Sequence, residues 1–249
     1  MNVLESLKKD GIKCSKTCSI ACNVISTIII SSIVSIICNK AMSGGQDVKK
    51  VIEKDPQFVV DAIEKMYREK QQKEQQERTK KAPEIAKQLE NRNNTVLGNK
   101  KGKKVIVEFF DYACGHCKRE AQELHKVIQQ DKDVKVVLAD MAIMSQHSLT
   151  AAQVGIYIGL YNPEKLEKYY LEMSKSNVDP QSIKKVLSKI GVKEDTIKKS
   201  AESSKVKEVL ESNFNAAREI GLQGTPALIV NGKFIPGMIT ADDIISILK

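Results

Sequence analysis

Two cysteines separated by two residues are the part of the sequence best suited to chemistry. Cys114 and Cys117 enclose Gly115 and His116 within the run FFDYACGHCKRE, which begins at Phe109. A Cys-x-x-Cys pair can supply half of a zinc site, close a small structural disulfide, or act as a redox couple. These three uses make different demands on the rest of the chain.

The residues available elsewhere disfavour zinc and a purely structural disulfide. Beyond residue 38 the chain has no other cysteine, and its three histidines are His116, His125 and His147, whereas zinc would need two further ligands. A disulfide closing so small a loop would remove little entropy from the unfolded chain. The sequence therefore favours redox chemistry at Cys114 and Cys117, with no bound metal and no organic cofactor.

The two cysteines are expected to differ because of the elements around them. The run at 105–110 predicts a buried strand, and the apolar stripe within 121–128 predicts a helix after it. Cys114 would lie where that helix begins, so free backbone N–H groups and the helix dipole stabilise its thiolate, and His116 adds positive charge or a hydrogen bond. We expect Cys114 to be the nucleophile and the shielded Cys117, with a normal or raised pKa, to resolve the mixed disulfide.

The rest of the periodicity predicts an α/β domain interrupted by helices. A second buried strand is predicted at 134–141, followed by a helical block at 147–220. Two more strands flank Asn231 and Gly232, a hairpin-turn pair, and a closing helix is predicted at 241–248. The predicted order is therefore β-α-β, a helical block, and β-β-α.

The N-terminal segment predicts export. Residues 19–38 contain no charged side chain, and four lysines precede them, an arrangement that keeps the N-terminus in the cytoplasm and sends the rest across the membrane. The length suits a transmembrane helix, whereas the small residues at 41–43 form a passable signal-cleavage site. We interpret residues 1–43 as a signal peptide or a membrane anchor, and both alternatives stay open.

Residues 44–94 predict a helical arm without a core of its own. Val59, Ile63 and Met66 fall on one helical face, a wholly polar stretch follows, and Pro83 is expected to break or kink the helix. A short apolar stripe on a lone helix packs on the parent domain or on copies of itself. The polar stretch resembles a spacer and favours the second arrangement, a homo-oligomer.

The net charge of +9 does not indicate a nucleic-acid partner. The lysines are scattered and mixed with glutamates, the chain has no Trp, and no cluster of aromatic or Arg side chains accompanies them. A solvated basic surface explains this charge, and we predict no nucleic-acid binding.

The run VEFFDYACGHCKRE, followed after the helical block by GTPALIVNGKFIPG, resembles the DsbA-like branch of the thioredoxin superfamily over about residues 94–249. The resemblance implies a thioredoxin fold in residues 95–249, with a helical domain inserted at about 147–220. It also implies that Thr225 and Pro226 form a cis-proline loop that faces the cysteine pair and binds a client strand.

The same resemblance implies further site residues and an activity. Glu108 matches the family's buried acid, which helps to move the proton of the second cysteine, and Cys114 and Cys117 would form the redox-active disulfide. The activity implied is protein-disulfide oxidoreductase, forming or rearranging disulfides in unfolded or reduced exported clients. A membrane redox partner would restore the active state. The location implied is the bacterial periplasm or cell envelope, with the protein soluble after signal cleavage or anchored to the inner membrane by residues 19–38.

Oxidase and isomerase activity both stay open. The Gly-His dipeptide is that of protein disulfide isomerases, whereas the family's best-known oxidase carries Pro-His. The arm resembles the N-terminal extensions of ScsC-like members, some of which form trimers and isomerise disulfides. The alternatives are therefore an oligomeric isomerase and, in another class, a non-catalytic thioredoxin-fold binding or assembly protein that uses the arm for interaction.

Overall fold

The computed structural model describes residues 52–92 and 95–249. The predicted signal peptide or anchor, residues 1–43, lies outside these ranges. Within them, no helix has the length and apolar character needed to cross a bilayer. The helices are α1 (Pro56–Asn91), α2 (Gly115–Gln130), α3 (Gln146–Tyr161), α4 (Leu166–Ser174), α5 (Pro180–Lys189), α6 (Thr196–Glu202), α7 (Ser204–Ile220) and α8 (Ala241–Leu248), with a 3₁₀ turn at Pro163–Lys165. The strands are β1 (Thr95–Gly98), β2 (Lys104–Phe110), β3 (Val134–Asp140), β4 (Ala227–Val230) and β5 (Lys233–Pro236).

The strands form one mixed sheet in the order β1-β3-β2-β4-β5. Neighbours β2 and β3 are parallel and are connected through α2, whereas β1 with β3, β2 with β4, and β4 with β5 are antiparallel. Strand β1 was not predicted from the sequence. It has four residues and lies at the sheet edge, so its short apolar pattern carries little periodicity.

Helices cover both faces of the sheet, which is why the central strands are apolar on both sides. On β2, Ile106 and Phe110 belong to the core formed with α2, α8 and the helices that follow β3. Val107 and Phe109 belong to a second core, formed with α1 and the end of α7. Successive side chains of a strand point to opposite faces of the sheet. Glu108 therefore lies on the face opposite to Val107 and Phe109, which is the face that α2 covers.

Five helices, α3 to α7, lie between β3 and β4, where the sequence predicted a helical block. They share the core of α2, and they contribute Tyr169 and Tyr170, both fully buried on α4. The side chains of Asp179 and Ser203 accept backbone N–H hydrogen bonds at the starts of α5 and α7. The insertion therefore lines the cysteine side of the sheet.

The arm helix differs from its prediction. The sequence predicted a break or a kink at Pro83, and a break does not occur, since α1 runs through this residue to Asn91. Residues 73–249 form one compact unit, and within it Ala82, Ile85 and Leu89 are completely buried in the second core. Pro83 has no backbone N–H and therefore removes one hydrogen bond of the helix. Burial of apolar side chains on both sides of Pro83 offsets this loss.

The earlier part of the arm belongs to the other compact unit, which ends at Gln72. Its described residues present large apolar side chains to solvent: Val60 is 45% exposed, Ile63 37% and Tyr67 62%. Ion pairs between Lys65 and Glu69 and between Arg68 and Glu64 lie along the same helix. These three exposed side chains will be called the arm stripe.

Replacing Ile85 by alanine tests the packing of the second half of α1. The substitution deletes a fully buried side chain, so we expect the free energy of unfolding to fall by about 2–5 kcal/mol. The control is Lys87→Ala, an exposed position two residues away, which should change stability by less than about 0.5 kcal/mol. Urea denaturation measures both. Equal stabilities for the two variants would contradict packing of α1 on the sheet.

Candidate active site

The structure places Cys114 at the N-cap of α2 and Cys117 in its first turn. The backbone N–H of Cys117 donates to Sγ of Cys114 over 3.5 Å, and Sγ of Cys114 lies 3.3 Å from the backbone oxygen of Thr225. Both cysteines are free thiols, with 7% of Cys114 and 3% of Cys117 exposed. The strand–helix junction expected from the sequence thus places Cys114 at the start of a helix. It also brings Cys114 beside the loop that contains Thr225.

The environments of the two thiols push their pKa values apart. Burial raises the pKa of Cys114, but hydrogen bonds from Cys117, from the Thr225 side chain and from the backbone of His116 outweigh it, so this pKa lies below its usual value. Burial raises the pKa of Cys117 far above its usual value, and the charge on Glu108 adds to that effect. Cys114 therefore ionises first.

The side chain of His116 is exposed and bonds to Arg119 rather than to sulfur. Its Nδ1 lies 2.9 Å from Nη2 of Arg119. A guanidinium can only donate, so Nδ1 accepts and any proton on a neutral His116 ring lies on Nε2. The contribution of His116 to Cys114 in this geometry is its backbone hydrogen bond, whereas the sequence had suggested its side chain.

Glu108 lies in the centre of the sheet and is completely buried. Its Oε2 accepts a 2.6 Å hydrogen bond from the hydroxyl of Tyr170, and its Oε1 has no hydrogen-bond partner. Burial raises the pKa of Glu108 well above its usual value, which the Tyr170 bond opposes and the charges of Glu120 and Asp140 reinforce. Burial therefore favours the protonated form of Glu108, which lies on the same face of the sheet as α2.

Tyr170 was not identified from the sequence as a site residue. It lies on α4, 62 positions after Glu108, and its ring packs edge-on against Phe110. In the sequence it reads as one apolar position of a helix, and no local signal distinguishes it from a core residue.

Asp111 is a second residue that sequence analysis missed. Its backbone oxygen accepts from the N–H of Cys114 over 3.0 Å, and its Oδ1 accepts from Ala113 over 2.7 Å. Its Oδ2 accepts from the backbone of Ile143 and Met144, at 2.9 and 3.0 Å. The carboxylate thus links the Cys114 turn to the segment after β3. An Asp directly after a strand, bonding two residues ahead, is the available signal.

Thr225 and Pro226 are joined by a cis peptide bond. Pro226 precedes β4, and the β2–β4 register pairs Phe109 with Ala227, which brings this loop beside the turn that carries Cys114. The backbone oxygen of Pro226 accepts from the N–H of Gly237 over 3.0 Å, so the segment after β5 holds the loop in place.

No group of three or more His, Cys, Asp or Glu side chains with metal-binding geometry occurs among the described residues. The reactive groups that the structure brings together at this site are the two sulfurs and the buried carboxyl of Glu108. The Cys114 thiol lies at the helix start with a lowered pKa, and the Cys117 thiol lies behind it with a raised pKa, an arrangement suited to thiol–disulfide exchange.

Several known proteins are similar to this chain in sequence and in structure. Residues 90–249 match the family model described as Thioredoxin. The thiol:disulfide interchange protein DsbA of Dickeya dadantii is 27% identical over 141 residues, which cover 52% of this chain and 67% of the relative. A periplasmic thioredoxin-like protein from Salmonella enterica serovar Typhimurium is 28% identical with a TM-score of 0.60, covering 66% of this chain and 93% of that one.

A further relative has a longer stretch in common with this chain. Proteus mirabilis ScsC in a compact conformation is 25% identical with a TM-score of 0.61, and the match covers 81% of this chain and 93% of that one. These similarities confirm the predicted thioredoxin-like α/β fold. Because the family model covers more than half of the chain, including the cysteine pair and the cis-proline loop, the chain belongs to the thioredoxin family as a DsbA-like thiol-disulfide oxidoreductase.

Proposed function

We propose that Cys114 and Cys117 form or rearrange disulfide bonds in exported client proteins. The observation that carries this proposal is the contrast between the two thiols: Cys114 at a helix start with a lowered pKa, and Cys117 behind it with a raised one. Cys114 would be the nucleophile and Cys117 the resolving residue. His116 would support the Cys114 thiolate through its backbone N–H.

In the oxidising direction the cycle starts from a Cys114–Cys117 disulfide. A client thiolate attacks Sγ of Cys114, the bond between the two enzyme sulfurs breaks, and Cys117 leaves as a thiolate that takes up a proton. A second client thiolate attacks the client sulfur of the mixed disulfide and releases Cys114 as a thiolate. The client loses two electrons and the cysteine pair gains them.

Isomerisation would start from the reduced pair. The Cys114 thiolate attacks a client disulfide and forms a mixed disulfide, which frees one client thiolate. That thiolate attacks another client disulfide, and the client thiol formed there finally displaces Cys114. No net electrons move, so the enzyme returns to its reduced state.

Glu108 is proposed to exchange the proton of Cys117. When Cys117 leaves as a thiolate in a buried site, a nearby proton donor lowers the barrier. Burial favours the protonated form of Glu108, its Oε1 has no hydrogen-bond partner, and ionisation of Glu108 would raise the pKa of Cys117. These observations support Glu108 as the group that gives this proton and takes it back.

Thr225 and Pro226 are proposed to hold the client chain beside Cys114. The backbone oxygen of Thr225 lies 3.3 Å from Sγ of Cys114. A client cysteine that reacts with Cys114 must approach this backbone, where an extended segment can pair with it. The clients are therefore unfolded or reduced chains that can present an extended segment.

The relatives and the N-terminal sequence support a location outside the cytoplasm, and the resemblance to DsbA-like proteins supports a redox partner. One structural relative is described as periplasmic. The charge pattern before residue 19 predicts export, so we place the domain in the bacterial periplasm or cell envelope. A membrane redox protein would restore the active state of the cysteine pair.

Two assays on the purified protein test the proposed activity. The first follows oxidation of a reduced client by the oxidised protein, and the second follows reactivation of a client with scrambled disulfides by the reduced protein. Fast reactivation with slow oxidation identifies an isomerase, and the reverse identifies an oxidase. Activity in neither assay would contradict the proposal.

The arm stripe is proposed as a homo-oligomer contact, in a trimer like those of ScsC-like proteins. A double variant, Ile63→Glu with Tyr67→Glu, places two charges on exposed apolar positions. We expect the mass measured by light scattering to fall to that of a monomer, and reactivation of scrambled clients to fall with it. Lys65→Glu, on the opposite face of the same helix, should leave the mass unchanged. A monomeric unmodified protein would contradict the oligomer.

A further inference from the structure

Glu120 is a second buried acid of the active-site helix. It lies three residues after Cys117 on α2, one helical turn further along, and it is completely buried. Its Oε2 accepts a 3.0 Å hydrogen bond from the backbone N–H of Ile239, while its Oε1 has no hydrogen-bond partner. A buried carboxyl with one unsatisfied oxygen destabilises a fold, so its presence here calls for a functional explanation.

The segment that Glu120 holds is also the one that holds the cis-proline loop. Two residues before Ile239, the N–H of Gly237 donates to the backbone oxygen of Pro226 over 3.0 Å. The loop in turn places the Thr225 oxygen 3.3 Å from Sγ of Cys114. Glu120 therefore closes a ring of contacts: the helix carrying the cysteines, the segment 237–239, the proline loop, and Cys114 again.

Resting on the function proposed above, we propose that Glu120 is a positioning residue for client binding, because it fixes segment 237–239 and through it the loop that receives the client beside Cys114. Glu120 itself contacts neither client nor sulfur in this role. Its effect is on where the Thr225–Pro226 backbone lies when an extended chain pairs with it. A carboxyl is well suited to this, since it keeps an oxygen that accepts from a backbone N–H in either protonation state.

A purely structural role is already served by the neighbouring Glu123. Its Oε2 accepts from the backbone N–H of Ala241 over 2.9 Å, next to Thr240, whose side chain caps α8. Glu123 therefore attaches α2 to the start of α8 from a part-buried position, with 20% of its side chain exposed. The bond from Ile239 to Glu120 lies on the loop side of this attachment, between α8 and the contact of Gly237 with Pro226.

The groups that act on Glu120 do not include a compensating cation among the described residues. Burial raises the pKa of Glu120 to about 7, the bond from Ile239 opposes this rise, and the charge of Glu123 adds to it. The charge of Glu120 in turn raises the pKa of Glu108 on β2. The backbone N–H of Ile239 is thus its principal stabilising partner.

The test compares two substrates in Glu120→Met, Glu120→Gln and Glu123→Gln variants of the full chain. Met fills a similar volume without accepting a hydrogen bond, and Gln keeps an acceptor oxygen. One substrate is a small aromatic disulfide reagent, which needs only the Cys114 thiolate. The other is an extended peptide of about ten residues with a central cysteine in a mixed disulfide, which must also pair with the loop. Stopped-flow measurements give the second-order rate constant for each, and thermal unfolding monitors stability.

We expect Glu120→Met to lower the rate constant for the peptide roughly tenfold while the rate constant for the small reagent stays within about twofold. Glu120→Gln should restore the peptide reaction to within about threefold of the unmodified protein, and Glu123→Gln should leave both rates unchanged. Equal losses for both substrates, or no loss for the peptide in Glu120→Met, would overturn the inference, although the proposed function would stand.

Two other outcomes are also decisive. If Glu120→Met does not fold, a tenfold loss of the peptide reaction in Glu120→Ala supports the inference, and full activity in that variant overturns it. An unmodified protein that reacts with neither substrate overturns the proposed function itself, which separates that failure from a failure of the role assigned to Glu120.

Discussion

A Cys114→Ser variant loses disulfide exchange down to the uncatalysed rate, whereas Cys117→Ser reacts once and stops. The hydroxyl of serine does not ionise at neutral pH, so the first variant has no nucleophile. In the second variant Cys114 still lies at the start of α2, and the Thr225 side chain still lowers its pKa, so it can react with the client. No second thiol remains to release the client. A mixed disulfide between Cys114 and the client should therefore accumulate.

Non-reducing electrophoresis with a client that contains a disulfide measures this difference directly, because the Cys114 thiolate can attack that disulfide and displace one client thiolate. The Cys117→Ser variant should form a covalent adduct that a small thiol releases, and the Cys114→Ser variant should form none. Titration of the thiolate absorbance in the unmodified protein is the matched measurement. Cys114 should titrate below the pH of an ordinary thiol, and Cys117 should stay protonated throughout the neutral range. A Cys114 that titrates as an ordinary thiol would favour the non-catalytic binding protein instead.

The free energy of unfolding falls as the pH rises from about 5 to 8, and Glu108→Gln removes a large part of this fall. Burial raises the folded-state pKa of Glu108 well above the value of an unfolded chain, so the folded form retains a proton that the unfolded form releases. Stability from such a group is fully present below the unfolded pKa and is lost as the pH rises toward the folded pKa. Each carboxyl that retains its proton contributes about 1.4 kcal/mol per pH unit.

Three buried carboxyls with raised pKa values, Glu108, Glu120 and Asp140, contribute to this pH dependence. The contribution of Glu120 is lost between its ordinary pKa and about 7, and those of Glu108 and Asp140 are lost as the pH rises through their own raised pKa values. Urea denaturation at pH 5, 6, 7 and 8 compares Glu108→Gln with the unmodified protein. Subtraction cancels the opposite contribution of Cys114, whose folded-state pKa is lowered. Relative to the unmodified protein, the free energy of unfolding of Glu108→Gln should increase with each pH unit. The same pH dependence in both proteins would contradict a raised pKa for the buried Glu108.

The same variant should turn over slowly although it folds. Gln at position 108 still accepts from Tyr170, so the core is preserved, but the amide cannot exchange a proton with Cys117. An unchanged rate of disulfide exchange at pH 7 would count against Glu108 as the proton carrier, while leaving the stability prediction intact.

Much of the local structure follows from residues close together in the chain. The apolar run of β2 and the stripe after it predict the strand–helix junction at Cys114, and the observed β2 is one residue longer than expected. Asn231 and Gly232 both have positive φ in the β4–β5 turn, as a hairpin pair requires. The strict alternation of a strand also places Glu108 opposite Val107 and Phe109. These features depend on backbone preferences and periodicity within about ten residues.

Only the tertiary structure decided which distant groups meet at the cysteines. Tyr170 reaches Glu108 from an inserted helix, Asp111 holds the backbone of residues 143–144, and Glu120 holds that of Ile239. None of these pairs has a local signature, because a contact across more than thirty residues depends on how whole elements pack. The continuous helix through Pro83 has the same origin, since burial against the sheet outweighs the local preference to break. Short-range chemistry thus placed the reactive sulfur, and long-range packing surrounded it with the groups that set its proton chemistry.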